Sequence, residues 1–363
     1  MTDGVSGIRR VVVRAPNWLG DAIMCLPAMG AVRQALRDAH ITVAAIPSIA
    51  PLFEERTNAA QDAVLVVRDK KREAPQLASG GFDAALLLPN SFRTAWAAKR
   101  GAIPQRWGYA VSWRRPLLTR AVRRASGRMH QSVYYTNLVR GLGFLSEEAT
   151  AGAPSVAVQP ETLARADALL RASGVAPGAR TVGFAPGAAY GHAKRWPPAR
   201  VAELAARLTR ERGATAILFG AAGDRGAGRE IESSLPADVR VVNLIGRTDL
   251  RVLAGAVSRC SAFVSNDSGA MHLAGALGVP LVAIFGPTDD RATAPLGGPA
   301  RHGGTAEPDV LTHPVFCRPC MLRECPIDHR CMTRISVARV FDAVAARLDA
   351  HLDADLDAHQ GAR

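Results

Sequence analysis

Two α/β domains, each a doubly wound (Rossmann-like) parallel sheet, are predicted for this chain by three observations. Short apolar runs alternate with amphipathic helical stretches along both halves, as in a parallel sheet with helices on both faces. The alternation breaks once, over residues 146–160, where turn formers, small residues and two prolines read as a linker. At 363 residues the chain is also long enough to bury two cores. The expected division is an N-terminal domain over 1–155, a C-terminal domain over 156–350 and a frayed tail over 351–363. Two such domains facing each other would enclose a central cleft, with ligands beyond the carboxyl ends of the strands.

R-V-V-V-R at 10–14 is the first strand, and a loop over 15–20 leads into a helix expected over 21–38. Further strands are expected at 41–46, 63–67 and 84–88, the last stopped by Pro89, with helices at 91–100 and 131–142. After the linker come a helix at 161–172, strands at 181–185, 214–219 and 240–243, and helices at 198–212, 225–234 and 250–258. The stretch A-F-V-S-N-D-S-G-A-M-H-L-A-G-A-L-G-V-P-L-V-A-I-F-G-P at 262–287 then reads as strand, turn, helix, strand. Its apolar residues Met271, Leu273, Ala274 and Leu277 fall at helical spacing, and Gly278 and Pro280 follow as stop signals. A last helix is expected over 336–349.

The composition is that of an ordinary globular protein, with 21% charged and 5% aromatic residues. No apolar run is long enough to span a membrane, and residues 1–10 lack the apolar core of a secretory signal, so a cytoplasmic location is expected. The net charge of +13 is uneven: residues 1–150 hold 21 Lys and Arg against 11 Asp and Glu. Ten basic residues and no acid occur over 93–128, among them Arg93, Arg123 and Arg124. Such a segment points to an anionic partner, whether nucleic acid, a membrane surface or an acidic substrate, or to a merely solvated basic face.

Asp267 and Ser268 stand where the 268–277 helix begins, and a helix N-terminus offers free amides and positive potential to a phosphate. His272 follows Ser268 on the same face, one turn on. A plain N-cap would show the same residues. In N-W-L-G-D (17–21), Gly20 permits a tight turn and Asp21 opens a helix, where a carboxylate can take a proton from a substrate hydroxyl or serve only as a cap. P-G-A-A-Y-G-H-A-K-R-W-P (186–197) makes an irregular loop whose Lys194 could neutralise a diphosphate leaving group, or be solvated surface. A P-loop is absent, and the run from Gly220 to Gly226 lacks dinucleotide spacing but follows a strand. Cys317, Cys320, Cys325 and Cys331, with His329 near, could hold a structural zinc ion, remain free thiols or form disulfides.

Taken together, the three motifs at 17–21, 186–197 and 266–280, with the spacing of the four C-terminal cysteines, resemble the ADP-heptose:lipopolysaccharide heptosyltransferases of glycosyltransferase family 9. The likeness is nearest to the heptosyltransferase II branch, and the type I and III branches are the alternatives. The resemblance implies a GT-B fold with an N-terminal acceptor domain and a C-terminal donor domain. It implies inverting transfer of heptose from ADP-L-glycero-D-manno-heptose to the inner core of lipopolysaccharide, with no cofactor required. Asp21 matches the family's catalytic aspartate and Lys194 its diphosphate lysine. Asp267, Ser268, Gly269 and His272 match its phosphate turn, and Thr248 the segment lining the nucleoside pocket. Asn17, Trp18, Arg93, Arg123 and Arg124 are then candidates for an anionic core acceptor, at the cytoplasmic face of the inner membrane. This reading leaves no part for nucleic acid. The competing one, a basic zinc-containing nucleic-acid-binding protein, leaves Asp21, Lys194 and Asp267 occurring together unexplained.

Overall fold

The three valines of R-V-V-V-R are buried on both faces of a sheet, as the middle of a parallel sheet requires. The computed structural model describes residues 7–300 and 306–360. The chain divides into two units, Met1–Ala157 and Val158–Arg363.

The first unit contains β1 (Arg10–Arg14), β2 (His40–Ala45), β3 (Arg56–Thr57), β4 (Ala63–Val66), β5 (Ala84–Leu87), β6 (Gln105–Tyr109), β7 (Arg120–Val122) and β8 (Val156–Ala157). Six of these form a sheet in the order β4-β2-β1-β5-β6-β7 with every neighbour parallel. The other two, β3 and β8, pair antiparallel, so the end of the expected linker is tied to this unit. The second unit contains β9 (Thr181–Ala185), β10 (Thr215–Leu218), β11 (Val242–Asn243), β12 (Ala262–Asn266), β13 (Leu281–Phe285) and β14 (Asp309–Thr312). They form a parallel sheet in the order β11-β10-β9-β12-β13-β14. Its two faces carry separate cores. On one, Val182, Phe184 and Val264 meet Val201, Leu204 and Leu208 of helix Pro198–Arg212 and Val340, Phe341 and Val344 of helix Val337–Gln360. On the other, Ala185, Phe263 and Phe285 meet Ala166 and Leu170 of helix Pro160–Ala172 and Ala256 and Val257 of helix Leu250–Ser258.

Four expectations need correction. The helix expected over 21–38 is two, Leu19–Met24 and Leu26–Ala35, because Pro27 has no N–H to bond back into the preceding turn. The first of them begins at Leu19, so Gly20 lies inside a helix and not in a turn. The stretch 93–128 is not one surface: it contains β6 and β7. The last helix continues past 349 to Gln360, since no Gly or Pro stops it before Gly361. Of the tail expected to fray, residues 361–363 lie outside the described residues.

At the end of β1 a charge network is buried in the first unit. Arg14 Nε donates to Glu73 Oε1 at 2.8 Å, with both side chains at most 2% exposed. Arg93, at the start of helix Phe92–Arg100, donates to the other oxygen of Glu73. Removing the carboxylate would leave a buried guanidinium without its counter-charge. Glu73→Ala should therefore cost about 3–5 kcal/mol of stability, read by urea unfolding of the whole chain. A loss below about 1 kcal/mol would show that the network is not what holds this corner.

Candidate active site

In each sheet the strand order reverses beside the unit's first strand, between β1 and β5 and between β9 and β12. Loops leaving the carboxyl ends on either side of such a reversal turn to opposite faces and leave a crevice that can hold a ligand.

In the second unit the loop after β9 and the turn after β12 are bonded together side chain by side chain. Asn266, the last residue of β12, is buried. Its Nδ2 donates to the Pro186 carbonyl at 2.7 Å and its Oδ1 accepts the Trp196 N–H at 3.1 Å. One amide thus closes both ends of the 186–196 loop. Asp267 comes next, and its Oδ2 accepts from Lys194 Nζ at 2.6 Å and from Thr288 Oγ1 at 2.7 Å. The Lys194 ammonium also lies 4.9 Å from the centre of the Tyr190 ring. It has three N–H groups and Asp267 takes one, so an anionic ligand can still be bound. Ser268 is extended and precedes helix Gly269–Ala276 without capping it; its hydroxyl meets Ser265 Oγ at 3.1 Å instead. Gly269 opens this helix, and His272, one turn in, is buried.

The glycines of the 186–197 motif are explained by close approach. A Cβ on Gly187 would lie 2.2 Å from the Asp224 carboxyl carbon, and one on Gly191 would lie 2.4 Å from the Arg323 carbonyl oxygen. Asp224, in the loop after β10, also faces Arg195 at 3.5 Å. The cysteine-rich segment packs beneath the same loop. Tyr190 Oη donates to the Met321 carbonyl at 2.8 Å, Ala193 N–H to the Arg323 carbonyl at 2.9 Å, and His329 Nε2 meets the Ala193 carbonyl. Cys317, Cys320, Cys325 and Cys331 line one small cavity with His329 and Ala193, and all are free thiols. Among the described residues no group of three or more His, Cys, Asp or Glu side chains is placed to hold a metal ion. Thr248 lies beyond the end of β11, two strands from β9, and precedes Asp249, the N-cap of helix Leu250–Ser258.

In the first unit, Trp18 is the N-cap of helix Leu19–Met24 and Asp21 sits within its first turn. Asp21 is half-buried and accepts a 3.3 Å hydrogen bond from the hydroxyl of Tyr135, on helix Gln131–Gly141. Burial pushes the Asp21 carboxyl above the ordinary aspartate range, and the Tyr135 bond pulls the other way. The phenol itself is raised far above neutral pH, first by burial and then by the charge of Asp21, so it stays a donor. Arg14 Nη2 donates to Asn17 Oδ1 at 3.1 Å, which ties the buried charge network to the N-W-L-G-D motif just ahead of its helix. The side chains of Asn17 and Trp18 are exposed.

The basic stretch divides in two. Arg93 is held by Glu73, and Arg106 and Arg120 donate to backbone carbonyls. Arg114 is wholly buried, donates to the carbonyls of Tyr109 and Pro89 and to Asn90 Oδ1, and is pulled down to a pKa of about 10 by desolvation. Lys99, Arg100, Arg115, Arg123, Arg124 and Arg128 are exposed. The site residues that sequence reading missed are Asn266, Thr288 and Tyr135. Asn266 had a signal, since it stands inside the N-D-S motif; the other two have none, because they reach their partners only across the fold.

Comparison with known proteins agrees with these features. Residues 72–313 match glycosyltransferase family 9 (heptosyltransferase). The chain is 32% identical over 304 residues to lipopolysaccharide heptosyltransferase 2 of Salmonella typhimurium, covering 80% of this chain and 87% of that protein. The structure of E. coli ADP-heptose lps heptosyltransferase II superposes with a TM-score of 0.77 at 27% identity, covering 93% of this chain and 98% of that one. A family 9 glycosyl transferase from Veillonella parvula gives a TM-score of 0.78 at 25% identity, covering 94% and 97%. Two wound parallel sheets of six strands are the GT-B class expected from the sequence. With its central motifs inside the matched region and both sheets shared with solved members, the chain belongs to glycosyltransferase family 9, the heptosyltransferase family.

Proposed function

We propose that this family 9 chain transfers heptose from ADP-heptose to the inner core of lipopolysaccharide, in the manner of heptosyltransferase II, with the chemistry divided between its two units. The observation that carries the reading is Lys194, fixed by Asp267 beside the uncapped start of helix Gly269–Ala276. A diphosphate bound there gains the ammonium and the first-turn amides together. Ser268, Gly269 and His272 belong to this phosphate turn, and Thr248 lines the nucleoside side. Asp21 takes the proton of the attacking acceptor hydroxyl. That oxygen forms a bond to the anomeric carbon as the bond to the ADP oxygen breaks. The leaving diphosphate carries the electron pair, and attack on the opposite face inverts the centre.

The N-terminal unit is the acceptor side. Asn17, Trp18 and the exposed Arg123 and Arg124 meet the anionic core, and Arg93 serves indirectly, through Glu73. The basic first half suits a peripheral protein at the cytoplasmic face of the inner membrane, and among the described residues no helix is long and apolar enough to cross a membrane. No step is routed through the four thiols. The direct test is mass spectrometry of a purified core acceptor after incubation with ADP-heptose. Addition of one heptose with release of ADP is expected. Turnover only with another sugar nucleotide, or only with an acceptor that lacks its first heptose, would overturn the assignment.

Asp21→Asn should lower kcat by about 10²- to 10⁴-fold with little change in donor binding, because only the proton acceptor is lost. Wild-type donor turnover in this variant would remove Asp21 from the chemistry.

The acid limb of the kcat/KM profile should lie above the range of an ordinary aspartate, since activity needs the carboxylate and falls as pH drops through its raised pKa. Tyr135→Phe removes the bond that favours the carboxylate, so the limb should move to higher pH. A limb that stays in place would assign it to another group.

Lys194→Ala should lower kcat/KM for ADP-heptose by about 10- to 150-fold, the loss of one charge-assisted contact to phosphate. Unchanged kinetics over a full donor titration would place the diphosphate elsewhere.

A further inference from the structure

Helix Phe92–Arg100 buries Thr94, Ala95, Ala97 and Ala98 and exposes Phe92, Trp96, Lys99 and Arg100. Positions 92, 96, 99 and 100 fall on one stripe. An outward stripe is ordinarily polar, yet here two rings are 46% and 45% exposed and stack on each other at 6.3 Å. A third ring, Trp113, is 94% exposed on the loop between β6 and β7. Ser112 and Trp113 have φ of 54° and 59°, a left-handed conformation that side chains rarely adopt. The next residue, Arg114, is buried and bonded to Pro89 and Asn90, just ahead of the helix, so Trp113 is fastened near its N-terminal end. Arg115 follows, exposed.

We infer that Phe92, Trp96 and Trp113, with Lys99, Arg100 and Arg115, are the surface by which the first unit docks on a membrane carrying anionic lipid. Aromatic rings beside lysine and arginine suit the headgroup boundary, where the rings leave water and the cations stay in it. No acid occurs over 93–128, so the segment that supplies the patch brings only positive charge to an anionic surface. The inference rests on the reading that the acceptor is a membrane glycolipid, and it adds which face meets the bilayer.

The test is sedimentation of the full chain with vesicles of equal parts phosphatidylcholine and phosphatidylglycerol, against phosphatidylcholine alone. The wild type should pellet with the anionic vesicles. Trp113→Ser should weaken binding about tenfold, and Phe92→Ser with Trp96→Ser and Trp113→Ser should abolish it. Lys99→Glu with Arg100→Glu and Arg115→Glu should remove the preference for anionic lipid. All should unfold at the wild-type temperature and keep wild-type turnover on a delipidated, soluble core oligosaccharide. Variants that pellet like the wild type would overturn the patch and leave the glycosyltransferase reading intact. Vesicle binding lost as expected, in a protein that transfers no heptose to any core acceptor, would support the patch and sink that reading. Binding of single-stranded oligonucleotide, lost in the same variants while vesicles are ignored, would overturn the patch in favour of base stacking.

Discussion

A parallel strand can be added on either side of the first one, and in both units the chain adds strands to one side and then returns to the other. That return leaves two loops next to each other at the carboxyl ends, with no strand between them. In the second unit it sets the loop after β9 against the turn after β12, and Lys194 meets Asp267 across 73 residues of sequence. Both charges are largely shielded from water, so either one alone would be costly. The pair holds the lysine in a fixed place beside the start of helix Gly269–Ala276. Asn266 and Thr288 hold the two ends of this arrangement.

The first unit uses the same reversal with a different chemistry. Arg14 at the end of β1 and Arg93, which follows β5, share the buried Glu73. Arg14 also reaches Asn17, so the loop that leads to Asp21 is set by a charge network within the unit. Asp21 is shielded enough to be a stronger base than a surface aspartate, and Tyr135 limits how far that goes. These opposed effects, burial raising the carboxyl and the Tyr135 bond lowering it, set how readily the group takes a proton.

The arginines show why charge in a sequence is an incomplete guide to a surface. A guanidinium presents five N–H donors in a plane, and it can bracket several carbonyls where no carboxylate is present. Arg114 does so between Tyr109, Pro89 and Asn90, and Arg106 does so against the carbonyls of Leu117 and Ile103. These residues build the first unit's sheet edge and the loop carrying Trp113. The exposed cations of the 93–128 stretch are Lys99, Arg100, Arg115, Arg123, Arg124 and Arg128.

The sequence by itself determined the strands that are buried on both faces, because V-V-V, V-G-F-A, A-F-V and L-V-A-I-F are unbroken runs without a polar side chain at their centres. It also marked Gly187 and Gly191 as the glycines of an irregular loop, where close approach leaves no room for a side chain. Of the edge strands, β4 and β11 were legible, at 63–67 and 240–243, and the two on the opposite edges were not. β7 and β14 close their sheets with half-buried, mixed residues, and Q-R-W-G-Y of β6 has a strand's burial without its composition. Only the tertiary structure decided the partners: that Asp267 faces Lys194, that Tyr135 donates to Asp21, and that Glu73 gathers two arginines. Each of those contacts joins segments far apart in sequence, and a one-dimensional pattern holds no record of which strand lies beside which.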